Sequence, residues 1–243
     1  MKSLINPINL EFQKVSFTYY DKPIKEVLRN VSFKVCGGEI VSIIGKNGAG
    51  KTTLLNIISG FIIPTSGKIK FNSSNNEGLF SSIVPQEYSL LDWKSVEKNI
   101  EFSLLFMAKP QEYKQEIIEK TLNLLKIKEY RKTLPKQLSG GIKQRVAIAR
   151  ALAPDPKVLL LDEPFNSLDI QTKNELIQDI RKIIVKTDKS AILVTHNLEE
   201  AIKLSDRILI LDDIGKNIKA TIKIYVDSKI SEIKKNVENL LRS

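Results

Sequence analysis

The stretch Gly45-Lys46-Asn47-Gly48-Ala49-Gly50-Lys51-Thr52-Thr53 constrains this chain more than any other part of it. An apolar β-branched run, Ile40 to Ile44, leads into it, and Leu54 to Ser59, with the apolar content of a buried helix, leads out. Strand, glycine-rich turn and helix in that order are the setting in which G-x-x-x-x-G-K-[ST] cradles a phosphate. Glycine takes positive φ readily and carries no Cβ, so backbone N–H groups can turn inward and approach a phosphate closely. The helix behind them adds the positive end of its dipole. In such a cradle Lys51 reaches the β- and γ-phosphates and the Thr52 hydroxyl ligates Mg²⁺.

The 243 residues, 42% of them hydrophobic, suffice for one large α/β domain with its own core. A single cysteine, Cys36, excludes an intrachain disulfide, fits a reducing compartment and reads as a small buried apolar residue. Runs such as Val158 to Leu161 are too short to span a bilayer, and Met1 to Asn9 has no long apolar core of a leader. The expectation is a cytosolic chain that meets a membrane only through a partner. A formal charge of +10, from 38 Lys plus Arg against 28 Asp plus Glu, permits a nucleic-acid or anionic-membrane partner. The basic residues are scattered except at Lys126 to Lys132 and Lys234-Lys235, which favours solvated faces.

Along the chain, Ile8 to Tyr20 alternates apolar and polar in the strand manner, with a turn at Asp21-Lys22-Pro23, and Leu28 to Val35 reads as a second strand. A turn at Pro64 to Gly67, a short strand at Lys68 to Phe71 and a polar loop at Ser73 to Asn76 follow the cradle helix. Ser82 to Pro85 is a further strand, ending at Gln86. From Ser95 to about Leu125 the period becomes helical, with Pro110 dividing two helices. This block reads as a helical insertion in an α/β core, spanning about 88–153 together with the next helix. That helix starts at Leu138-Ser139-Gly140-Gly141, where Ser139 is placed as N-cap and two glycines bare the backbone.

Lys157 to Leu161 is a continuous apolar strand with Asp162, Glu163 and Pro164 at its end. Ligands of open α/β sheets bind outside the carboxyl ends of strands, where these acids lie. Asp162 suits the outer shell of Mg²⁺ and Glu163 suits a base or orienter for an attacking water; two acids capping a helix is the plainer alternative. Ser167-Leu168-Asp169 precedes a helix from about Gln171 to Lys186, and the strand Ala191 to Thr195 ends at His196, the only histidine. A short helix from Leu198, a strand at Arg207 to Leu211, a last strand at Lys219 to Val226 and an amphipathic helix at Ser228 to Leu241 complete the chain.

In combination these residues resemble the nucleotide-binding subunits of ATP-binding cassette (ABC) transporters over about residues 9 to 212. Gly45 to Thr53 looks like Walker A, Val158 to Glu163 like Walker B with its catalytic glutamate, and Leu138 to Arg145 like the signature motif. Gln86 is similar to the Q-loop, Ser167-Leu168-Asp169 to the D-loop and His196 to the H-loop; Tyr19, or in its place Tyr20, is similar to the aromatic that stacks on adenine.

The resemblance implies a P-loop NTPase core with an N-terminal antiparallel β subdomain and an inserted α-helical subdomain, the residues from about 213 onward forming a short tail. It implies an ATPase using ATP and Mg²⁺. Catalysis falls to Glu163, His196, Gln86 and Lys51, and magnesium to Thr52, Gln86 and Asp162. Nucleotide contacts fall to Tyr19, Gly45, Lys46, Asn47, Gly48, Ala49, Gly50, Lys51, Thr52, Thr53 and Asp169, with Ser139, Gly140 and Gly141 reaching the γ-phosphate held by a second, head-to-tail copy. Its partners would be that second subunit, permease chains and a solute-binding protein, with no nucleic acid, and its place the cytoplasmic face of the membrane. Trp93, after the leucine pair Leu90-Leu91, is similar to importers for nitrate, sulfonates and taurine. An exporter or lipoprotein-release ATPase shares every catalytic residue and stays open, as does a soluble nucleic-acid-associated member. Asn197 departs from the family where an acid is frequent, and the short lysine-rich tail leaves no room for a full regulatory domain.

Overall fold

The computed structural model describes residues 8–20, 22–71, 80–225 and 230–242. The polar loop expected at Ser73 to Asn76, together with Asp21 and Val226, lies outside them. Alternation of apolar and polar residues builds the first layer. Strands β1 (Ile8–Tyr19) and β2 (Lys25–Cys36) pair antiparallel with Phe12 opposite Phe33, their rings stacked 4.6 Å apart. The strand after the phosphate loop, β4 (Ser66–Phe71), returns to the free edge of β1, so the sheet order is β2-β1-β4. The antiparallel layer therefore takes its third strand from beyond the loop, by a long-range pairing that no local pattern announces.

The centre of the second sheet is built from largely apolar runs. Every residue of β3 (Ile40–Ile44), β6 (Val158–Asp162) and β7 (Ser190–Val194) is buried, as strands covered on both faces must be. With β5 (Ser81–Val84), β8 (Arg207–Leu211) and β9 (Ile218–Lys223) they form the order β5-β6-β7-β3-β8-β9, parallel except for β9. Pro85 lies outside β5, since proline has no N–H to give a ladder.

The two faces of this sheet are covered differently. Helix α1 (Lys51–Ile58) packs Leu54, Leu55, Ile57 and Ile58 into a core with Val158, Leu160, Ile192 and the inner residues of β1 and β2. Each such side chain contributes about 1.5–3 kcal/mol by burial, which pins the start of α1 beneath the strand ends. The alternate residues Leu159, Leu161, Ala191 and Leu193 face a helical layer. It comprises α2 (Val96–Ser103), α3 (Gln111–Leu124), α4 (Gly140–Leu152) and α5 (Ile170–Thr187). Helix α2 stops at Ser103, so Leu104 is buried while Leu105 is exposed. Arg145 on α4 and Asp179 on α5 pair at 2.7 Å, both buried, and lock these two helices together. A third cluster joins Ile44, Ile208 and Ile210 to α6 (Leu198–Leu204) and α7 (Ile230–Arg242).

Parallel alignment puts the carboxyl ends of β5, β3, β6 and β7 on one edge. Residues 85–86, 45–50, 162–163 and 195–196 leave the sheet there.

Candidate functional site

The turn from β3 into α1 is the floor of this edge. Gly50 caps α1 at φ 100° with no side-chain bond, a conformation in which a side chain would be strained and would meet Val27 Cγ1 at 2.8 Å. The first N–H groups of α1 are thereby left without a side-chain cap at the strand ends. Lys51, only 7% exposed, donates to the carbonyl oxygens of Gly45 (2.9 Å) and Lys46 (3.1 Å) and so lies across the turn it follows.

Above it, Asp162 ends β6 and accepts a hydrogen bond from the Thr52 hydroxyl. Burial holds the Lys51 ammonium below the usual lysine range, against the pull of Glu163 and Asp162. Burial, and after it the Glu163 charge, pushes the Asp162 carboxyl up, with Thr52 and Lys51 opposing. A cation and an anion that both resist ionisation form a place short of counter-charge. A phosphate beside Lys51 and a hard divalent cation beside Asp162 and Thr52 supply it, and carboxylate and hydroxyl oxygens are the donors Mg²⁺ prefers.

Glu163 does not cap a helix; the helix beyond it, α5, begins seven residues later with Asp169 as its N-cap. It sits instead at φ 45°, its N–H bonded to Val194 O of β7 at 2.8 Å. Residues held at positive φ cost energy and gather at functional sites. This turn aims the side chain at His196, whose Nδ1 lies 2.8 Å from Glu163 Oε2. The Asn166 side chain donates to the same oxygen. Asn166 has no place in the sequence-derived set; an amide three residues after the acid, in an irregular segment, was the only signal.

Other predicted residues arrive at the same edge. Tyr19 OH lies 3.5 Å from Thr53 Oγ1, and its ring meets Phe17 edge-on at 4.8 Å, whereas Tyr20 is 69% exposed. Gln86 is exposed two residues past the end of β5, whose last residue, Val84, pairs with Leu161 of β6. Ser139, Gly140 and Gly141 are not gathered here. Ser139 caps α4 by accepting the Ile142 N–H at 3.5 Å, and the glycines face Tyr88 and Thr172 instead. A Cβ on Gly141 would stand 2.5 Å from Thr172 Cγ2, so its bareness lets α4 approach α5. Asp169 accepts the Thr172 N–H at 3.0 Å, and bonds from Thr172 hold its carboxyl below the usual range.

Known proteins resemble this chain in sequence and in fold. A family profile, ABC transporter, matches residues 28–166. The chain is 37% identical over 226 residues to an uncharacterized ABC transporter ATP-binding protein of Methanocaldococcus jannaschii, covering 89% of this chain and 85% of that one. It is 35% identical over 220 residues to the taurine import ATP-binding protein TauB of Roseobacter denitrificans, covering 88% and 82%. It is 39% identical over 186 residues to the nitrate import ATP-binding protein NrtD of Synechocystis, covering 76% and 70%. Among solved structures, the ATP-binding cassette MJ0796, a dimer in a post-hydrolysis state bound to ADP and Pi, superposes with a TM-score of 0.76 at 30% identity. That match covers 89% of this chain and 99% of the other.

Proposed function

This chain belongs to the ABC transporter family of ATP-binding proteins and is an ATPase, and from that premise we propose that it powers a membrane importer as a dimer of cassettes. The observation that carries the reading is the contact of His196 with Glu163, 2.8 Å, at the strand ends where Lys51, Thr52 and Asp162 meet.

The bare start of α1 and Lys51 bind the phosphates of ATP, the backbone supplying N–H groups from Gly45 to Thr53. Tyr19 stacks on the adenine. Thr52, Asp162 and Gln86 would hold Mg²⁺, which would supply neutralisation of charge on the phosphate oxygens. Glu163 accepts a proton from, or orients, the water that attacks the γ-phosphate, and Asn166 fixes the oxygen it does not spend on that water. His196 steadies Glu163 and contacts the γ-phosphate. Little covalent chemistry is asked of the protein, so its contribution is placement and electrostatics.

Ser139 and its glycines stand apart from Lys51 within one chain, which supports their use by a second copy. Two chains head to tail would bring the α4 start of one to the γ-phosphate held by the other, so ATP would favour the closed pair and hydrolysis would release it. That a similar cassette is a dimer supports this arrangement.

No helix among the described residues is long and apolar enough to cross a membrane. Docking on permease chains at the cytoplasmic face falls instead to the helical layer, which exposes Trp93, Phe102, Leu105 and Phe106. Asn99, fully buried, bonds to Leu91, Lys94 and Ser95 and so fixes the turn that carries Trp93. The names of the similar import proteins support small anionic or zwitterionic solutes such as taurine or nitrate; a solute-binding protein would deliver them. Phosphate release from ATP with Mg²⁺ tests the chemistry: Glu163→Gln is expected to lower turnover by about 100-fold or more while ATP still binds. Wild-type turnover in that variant removes Glu163 from its role.

A further inference from the structure

We propose that Glu200 is a positioning residue for ATP hydrolysis: ion-paired to Lys173, it fixes the Thr195 hydroxyl, and Thr195 sets the reach of His196 to Glu163. This inference rests on the roles given above to Glu163 and His196.

Glu200 lies in α6, among the buried residues Ala201, Ile202 and Leu204, and is itself 1% exposed. A carboxylate in such a place is costly unless it is paired and hydrogen-bonded, and a well-packed apolar residue commonly serves the fold as well. Both oxygens of Glu200 are engaged. Oε1 meets Lys173 Nζ at 2.7 Å, and Oε2 accepts from Thr195 Oγ1 at 2.8 Å.

Thr195 is the last residue before the histidine, follows β7, and is fully buried. Its hydroxyl gives its proton to Glu200 and accepts the Asn197 N–H at 3.0 Å, so the rotor is fixed from both sides. Its N–H reaches Ile43 O on the strand that feeds the phosphate loop, at 3.4 Å. Asn197 is fixed in turn as the N-cap of α6, accepting the N–H groups of Glu199 and Glu200. The residues on either side of His196 are thus tied to one hydroxyl and one carboxylate.

His196 itself is loosely surrounded: its side chain is 58% exposed, and its ring meets Glu163 at 2.8 Å. With so little packing of its own, its placement depends on the backbone that Thr195 and Asn197 hold. Lys173 lies one turn into α5, its N–H bonded to Asp169 O at 2.9 Å, so the bridge also joins the Asp169 helix start to the histidine loop.

The test is steady-state ATP turnover by the full chain with Thr195→Val, which keeps the shape and removes both bonds. We expect kcat to fall about tenfold or more with KM for ATP little changed, since a small displacement of a catalytic group is expensive. Thr195→Ser is expected to recover most of the loss. In a His196→Ala background, Thr195→Val is expected to cost nothing further, because both changes remove the same contact. A purely structural Thr195 gives multiplying losses instead, and that result, or wild-type kcat in Thr195→Val, overturns the inference. If circular dichroism shows Thr195→Val unfolded, Glu200→Met, which keeps the length of the side chain and removes the acceptors facing both Lys173 and Thr195, takes the same measurements with the same outcomes. Wild-type turnover in His196→Ala sinks the reading of the site and this inference with it; an impaired His196→Ala beside a normal Thr195→Val sinks this inference alone.

Discussion

Two helices of this molecule begin at glycines, and they are finished in opposite ways. Helix α1 is capped by Gly50 at positive φ with no side-chain bond, and polar side chains converge beside it: Lys51, Asp162, Glu163 and His196. Helix α4 is capped by Ser139 in an extended conformation that already bonds Ile142 N–H, and its neighbours are Tyr88 and Thr172. A helix start can draw an anion by its dipole alone, but only the first is joined by a lysine and a carboxylate, Lys51 and Asp162, that both lack counter-charge. The difference supports the proposal that α1 binds nucleotide within one chain, whereas the start of α4 meets its ligand only in a second copy.

The comparison breaks most readily at Lys51. Lys51→Ala is expected to lower ATP affinity by about 10- to 100-fold, the worth of a charge-assisted bond to phosphate, measured by calorimetry. Unchanged affinity would make α1 no better a site than α4. Gly141→Ala acts on the other helix. Its new Cβ falls 2.5 Å from Thr172 Cγ2, so the Thr172 side chain or the start of α4 must shift. ATP affinity of the single chain should hold, while ATP-driven pairing weakens about tenfold, read by sedimentation.

Tyr19→Ala sharpens the description of the α1 side. Loss of a stacking platform is expected to weaken ATP binding about fivefold or more, with Tyr20→Ala leaving it unchanged. A reversal of that order moves the adenine to Tyr20. The smallest effect concerns stability. The folded-state pKa of Asp162 lies above its unfolded value, so the fold loses stability as pH rises through the interval between them. Above the folded value that loss is complete, and Asp162→Asn removes it. The melting temperature of the nucleotide-free variant should therefore rise by about 1–4 °C, and the gain should vanish below the unfolded value. With ATP and Mg²⁺ the order should reverse, because the wild type alone keeps the carboxylate for the metal.

Much of this fold is legible in local sequence. The largely apolar runs of β3, β6 and β7 state that both faces are covered, and their polar ends, Gly45, Asp162 and Thr195-His196, mark the edge where a ligand belongs. What local sequence cannot state is pairing at a distance. The return of β4 to β1 depends on contacts between residues far apart along the chain, such as Phe12 with Ile69. The choice between Tyr19 and Tyr20 depends on Tyr19 staying in β1 and reaching Thr53, which adjacent residues of one type do not reveal. Asn166 and Glu200 were invisible for the same reason: an amide in an irregular segment and an acid in an ordinary helix gain meaning only from the oxygens they meet.

The central claim is that one chain holds the nucleotide and a second copy closes over it. Light scattering of Glu163→Gln with saturating ATP and Mg²⁺ tests it most directly. The account predicts particles of twice the single-chain mass that fall apart when ATP is replaced by ADP. Particles that keep the single-chain mass at saturating ATP, with ATP bound, would contradict it.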